Sequence, residues 1–177
     1  PLIANGEVLG ALEVFSRKSL KPDAEWLEFF STLAGQASIA VDKGQTFEGL
    51  QRSNLELNMA YDATISGWSR AMDVRDQETE GHTQRVTEMS VRLAEFLGLD
   101  GAKIVQIRRG ALLHDIGKLG VPDSILLKKS ELTPPEMDIM RQHSQIAYEL
   151  LKPITYLAPA IDIPYCHHER WDGTGYP

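Results

Sequence analysis

The sequence predicts a mainly α chain with a short β segment at its start. Three observations carry this. From Ala24 onward, apolar residues recur at spacings of three and four. No proline interrupts the stretch from Ala24 to Lys118. Strand-like patterning is confined to the first residues, where Val8, Leu9, Ala11, Leu12, Val14 and Phe15 lie between turn-rich flanks.

In chain order, Gly6 to Arg17 reads as a strand, with Asn5-Gly6 before it and Ser16 to Pro22 after it. One or two strands do not stand alone in water, so this segment reads as the tail of a larger sheet. Asp23, after Pro22, is placed to cap a helix. Trp26, Phe30, Leu33, Ala37, Ala40 and Phe47 then share a face. After a slip in phase, Leu50, Leu57, Tyr61, Trp68 and Ala71 continue the pattern. Its length favours one connecting helix, pairing with its copy in a homodimer, over two core helices broken near Gly44 or Gly49.

A second helix is expected from Thr79 to Leu97. Val86, Met89, Leu93 and Leu97 form its core face and Gly98 its stop. Asp100 can cap a third, running to about His114. Thr133-Pro134-Pro135-Glu136 is a helix start with a capping box, and that helix should continue to about Leu151, before Pro153. A shorter helix is expected between Pro159 and His168, followed by a loop from Asp172 to Pro177.

Composition narrows the functional classes. A hydrophobic content of 42% with 24% charged residues describes a folded chain. The formal net charge of −7 lacks the basic footprint of a protein that binds a nucleic-acid polymer. A small phosphate ligand remains compatible, because a metal can supply local positive charge. The single cysteine, Cys166, permits no intrachain disulfide and reads as a small buried residue. No run of 18 apolar residues occurs, so no transmembrane helix is expected, and a cytoplasmic location is. The chain opens at Pro1 inside what reads as a strand and closes at Pro177 directly after a glycine-rich motif. Both ends read as cuts in a longer parent.

The chemistry lies in five histidines: His82, His114, His143, His167 and His168. Glu78 and His82, four apart, share a helix face and can bind one metal together. His114-Asp115 closes an apolar helix. A half-buried carboxylate there is costly unless paired or metal-bound. His143 falls mid-helix, and His167-His168 precedes Glu169 and a glycine loop. Taken singly, each histidine is more often a surface or core residue than a ligand. By the same default, Lys118 would be a surface charge, and Trp171 and Tyr176 packing residues.

Jointly, the residues point further. His114-Asp115-Ile116-Gly117-Lys118 and His167-His168-Glu169-Arg170-Trp171-Asp172-Gly173-Thr174-Gly175-Tyr176-Pro177 resemble the two signatures of the HD-GYP domain. That family is a bacterial branch of the HD metal-dependent phosphohydrolases. The resemblance covers about residues 62–177. It implies an all-helical domain that hydrolyses cyclic di-GMP to pGpG or GMP with two or three divalent transition-metal ions. It further implies that Glu78, His82, His114, Asp115, His143, His167 and His168 are metal ligands, with Asp115 bridging two metals. Asp115 and Lys118 would be the catalytic residues, Lys118 lying against the scissile phosphate. Gly173, Gly175, Tyr176 and Pro177 would shape a substrate pocket or partner surface. Imidazoles and carboxylates without thiolate suit iron or manganese, and zinc or nickel as alternatives. Metals sharing a carboxylate can activate a hydroxide and stabilise the leaving oxygen, with Lys118 adding charge.

Residues 1–45 resemble the end of a GAF sensor domain, which makes 46–76 a signalling helix and 77–177 the HD-GYP domain. A diguanylate cyclase domain is an expected partner. The family continues past Gly-Tyr-Pro with a further metal-binding aspartate and basic residues, so this chain alone is expected to hold an incomplete site. The family's His-Pro also reads His143-Ser144 here. Two alternatives stand beside the enzyme reading: a catalytically silent sensor or interaction module, and an HD phosphohydrolase for another nucleotide.

Overall fold

The computed structural model describes residues 1–76 and 81–177. The chain divides into two compact units, Pro1–Met59 and Ala60–Pro177.

In the first unit, strands β1 (Leu2–Ala4) and β2 (Glu7–Gly10) form an antiparallel hairpin. Asn5 and Gly6 both have positive φ, 50° and 83°, the conformation that a tight hairpin turn needs and that Asn-Gly supplies. The strand expected to reach Arg17 stops at Gly10, because β1 ends its pairing there and, among the described residues, no other strand accompanies Ala11 to Arg17. Helix α1 (Ala24–Asp76) follows, 53 residues without a break at Gly44 or Gly49. Asp23 caps it, its carboxylate accepting from the Trp26 N–H at 2.8 Å. The hairpin is tied to this helix: the Ile3 N–H donates to the Ser38 hydroxyl at 2.9 Å, and the Asn5 amide to Asp42 at 3.3 Å. A hairpin of seven strand residues cannot cover so long a helix, so Leu33 and Phe47 of the expected stripe are exposed.

The second unit holds the last turns of α1 and helices α2 (His82–Phe96), α3 (Gly101–Leu112), α4 (Asp123–Leu126), α5 (Pro134–Arg141), α6 (His143–Leu151) and α7 (Asp162–Cys166). Short 3₁₀ segments occupy Ile116–Gly120 and Thr155–Ala160. Ile65, Leu113, Ile116, Ala147, Leu151 and Leu157 form the core, where each large side chain contributes about 1.5–3 kcal/mol by leaving water. Arg109 joins α3 to α1 through a 2.8 Å ion pair with Asp62. Its guanidinium lies 4.3 Å from the Tyr156 ring, which in turn packs on Tyr61.

Several expectations need correction. Met89, Leu93 and Leu97 are exposed; α2 instead buries Thr83, Thr87 and Ala94. Small side chains let α2 and α3 pack closely, and the threonine hydroxyls find partners in Asp73 and the Thr83 carbonyl. The helix expected to run unbroken from Thr133 to Leu151 is two, with Gln142 between α5 and α6. Its start is as expected: the Glu136 carboxylate accepts from the Thr133 N–H and hydroxyl, both at 2.8 Å. α3 begins at its Asp100 cap, which accepts from the Lys103 N–H, but ends at Leu112, before His114. Cys166 is exposed and not buried, and Trp171 is fully exposed and packs on nothing. No helix among the described residues is long and apolar enough to cross a membrane.

Candidate metal centre

Each site histidine stands at a helix end, where the backbone turns and a side chain can point inward. His82 opens α2, following Gly81 at φ 75°. His114 and Asp115 lie in the tight turn between α3 and the Ile116–Gly120 segment. His143 is the first residue of α6, not a mid-helix residue, and the break at Gln142 places it there. His167 and His168 directly follow α7. Gly117 allows two of these ends to meet: a Cβ on it would lie 1.8 Å from the His143 carbonyl oxygen.

Three of the rings share one device. Nδ1 of His114 lies 2.8 Å from the Ala111 carbonyl, that of His143 2.7 Å from Met140, and that of His167 3.1 Å from Pro164. In each case the acceptor is the carbonyl three residues earlier. A carbonyl only accepts, so in the neutral ring Nδ1 carries the proton and Nε2 presents a lone pair. Those Nε2 atoms converge on Asp115. His114 Nε2 is 3.0 Å from its Oδ2, while His143 and His167 Nε2 are each 3.7 Å from its Oδ1. The Nε2 atoms of His143 and His167 are 3.3 Å apart.

Donor atoms of Asp115, His143, His167 and His168 all lie within 4.8 Å of one another, and so do those of His82, His114 and Asp115. The two groups share Asp115. Lone pairs from two imidazoles and a carboxylate oxygen crowd one space, an arrangement that a cation relieves. On this chemistry the residues fit a multinuclear metal site. Glu78 lies outside the described residues.

Burial alone would raise Asp115, but the 3.0 Å contact with His114, the adjacent His167 and the charge of Lys118 hold it well below the usual carboxylate range. Burial presses His114 down, yet the hydrogen bond and charge of Asp115 outweigh it and hold His114 above an ordinary histidine. Burial lowers His143. His168 falls to about 4 through burial and the neighbouring His167 and His143, so it is neutral and free to ligate at neutral pH.

Lys118 reaches the centre from the 3₁₀ segment. Its Nζ lies 2.9 Å from Asp115 Oδ2 and 2.5 Å from Asp76 Oδ2. The C-terminal loop folds back over the histidines. Tyr176 stacks on His168 with centroids 4.6 Å apart, and its N–H donates to the His168 carbonyl at 3.4 Å. Gly175 lies so close to His168–Arg170 that a Cβ would meet backbone at 2.5 Å. Gly173 sits at φ 72° in an exposed turn, where the Asp172 carboxylate accepts from the Thr174 N–H and hydroxyl. Pro177 is exposed after a cis peptide bond. Sequence reading passed over Asp76 and also Arg141, whose guanidinium lies 5.6 Å from the Tyr176 ring. Only the closeness of Asp76 to Glu78 and His82 in sequence could have flagged it.

Residues 68–177 match the HD domain family. The chain belongs to that family. It is 48% identical over 109 residues to a cyclic di-GMP phosphodiesterase of Thermotoga maritima, covering 59% of this chain and 29% of the relative. It is 36% identical over 155 residues to a cyclic di-GMP phosphodiesterase of Vibrio cholerae, covering 79% and 32%. A 3′3′-cGAMP-specific phosphodiesterase of Vibrio cholerae is 35% identical over 136 residues, covering 76% and 26%. The chain thus spans about a third or less of the length of these relatives.

Proposed function

We propose that this chain carries the metal centre of an HD-GYP phosphodiesterase that hydrolyses cyclic di-GMP to linear pGpG or GMP. One observation carries the reading: the half-buried Asp115 carboxylate stands between two groups of imidazole donors and belongs to both. Glu78 joins His82 as a ligand in this proposal. The ions are two or three, iron or manganese first and zinc or nickel next. Bound ions would activate the attacking water and offset charge on the phosphoryl oxygens.

The chain's own residues supply the rest. Nδ1–carbonyl bonds aim three imidazoles, and Asp115 holds the negative charge that draws cations together. Lys118 offers a cation where negative charge grows as water oxygen adds to phosphorus and the bond to the ribose 3′ oxygen breaks. Tyr176 on His168, with Gly173, Gly175 and Pro177, forms one rim for the guanine-bearing substrate. Residues 1–45 are proposed as GAF-derived and 46–76 as a signalling helix that pairs with its copy in a dimer. A diguanylate cyclase domain is the proposed partner, and the cytoplasm the setting.

The test is metal analysis of the purified protein beside His114→Ala, followed by hydrolysis of cyclic di-GMP with Mn²⁺ or Fe²⁺. A wild-type protein that holds no transition metal would sink the reading. Metal binding without turnover would favour a silent interaction module. The relative specific for 3′3′-cGAMP motivates a second substrate reading. Rates on the two cyclic dinucleotides side by side decide between them.

A further inference from the structure

The two donor groups that share Asp115 are assembled differently. The group with His143 depends on direct packing: Gly117, two residues after Asp115, sits so close to the start of α6 that a Cβ would lie 1.8 Å from the His143 carbonyl oxygen. The other group takes His82 from α2 and His114 and Asp115 from the turn after α3. Its two rings lie 5.8 Å apart, centre to centre.

The last turn of α1 bridges those two elements. Asp73 accepts from the Thr83 hydroxyl at 2.5 Å, and Thr83, the residue after His82, is 5% exposed. Arg75 donates to the Lys118 carbonyl at 2.7 Å, to the Val121 carbonyl at 2.9 Å and to the Asp123 carboxylate at 2.8 Å. Lys118 follows Asp115 by three residues. One side chain thus holds the first turn of α2, and the other holds the segment that leaves Asp115. The backbone between Asp73 and Arg75 is helical, so the two grips keep a set separation. The planar guanidinium fork adds direction to the second grip.

That separation has a chemical use. Metal–donor distances hold to within about 0.2 Å, so a site drawn from two separate elements needs their spacing fixed. Resting on the reading of His82, His114 and Asp115 as ligands, we propose that Asp73 and Arg75 are positioning residues for that group. Through Thr83 and the 118–123 backbone they set the distance from His82 to His114 and Asp115. Neither is a ligand in this role.

The experiment titrates the chain with Mn²⁺ by calorimetry, which counts ions and does not depend on turnover. Thr83→Val keeps the shape of the side chain and removes the hydroxyl; Arg75→Gln removes the fork. Each should weaken one ion by about ten-fold, the scale of losing a group that orients a ligand. The ion at His143, His167 and His168 should keep its wild-type affinity. Thr83→Ser retains the hydroxyl and should bind as wild type does. Arg109→Ala cuts the α1–α3 ion pair to Asp62 and should loosen the fold without changing either affinity. Thr83→Val and Arg75→Gln proteins that bind both ions normally, or weaken both equally, overturn the inference alone. So does an Arg109→Ala protein that matches them. A wild-type chain that binds fewer than two Mn²⁺ overturns the reading of two donor groups and this inference with it.

Discussion

His143 and His167, 24 residues apart in sequence, face each other with Nε2 atoms 3.3 Å apart, each ring held from behind by a backbone carbonyl. Two lone pairs so placed repel unless a cation lies between them and Asp115. Asp115→Ala should therefore empty both donor groups, whereas His82→Ala should spare the group built on His143, His167 and His168. Metal counted per chain by mass spectrometry distinguishes the two. Equal loss in both variants would contradict the sharing of Asp115.

Gly117 and Gly49 give opposite expectations for the same change. Gly117→Ala forces a Cβ against the His143 carbonyl and should cost about 3 kcal/mol or more, because backbone lies on the other side. Nothing lies within 4 Å of a Cβ at Gly49, inside α1. Gly49→Ala should stabilise by roughly 0.5–1 kcal/mol. Denaturant midpoints of the two variants test this.

Arg109 is buried while its partner Asp62 is about a third exposed, so the pair lies between the surface and interior cases. Arg109→Ala also removes the guanidinium from the Tyr156 face. A loss of about 2 kcal/mol is expected by urea unfolding, above the value of an exposed pair and below that of a dry one.

Glu136 is lowered to about 2 by the Lys128 ammonium and the Thr133 N–H and hydroxyl. A depressed carboxyl stabilises the fold above its unfolded value near 4.5 and loses that contribution as pH falls toward 2. Glu136→Gln should thus lower the melting temperature at neutral pH, and the gap from wild type should close between about pH 4.5 and 2. A gap unchanged at pH 2 would count against this account.

Much of the second unit was legible because local rules agree with the tertiary outcome. Asp100 and Thr133 start helices where capping chemistry places them, and the five histidines marked a candidate metal site before any distance was known. The departures have a common cause, in that packing partners decide faces and ends. Periodicity assigned Met89, Leu93 and Leu97 to the core, yet α2 buries the small Thr83, Thr87 and Ala94, and the Thr83 hydroxyl donates to Asp73 of α1. Nothing in the residues around Gln142 announces a break. It becomes intelligible only when Gly117 is seen against the His143 carbonyl. Asp76 was invisible because its partner lies 42 residues away, and no local period links a helix end to a distant turn.

The carbonyl tie behind His114, His143 and His167 reaches back three residues in each case, so each ring takes its aim from its own stretch of backbone. Three of the ligands are therefore aimed locally, so loading should proceed without a folding step, the ion relieving the repulsion between the facing His143 and His167 rings.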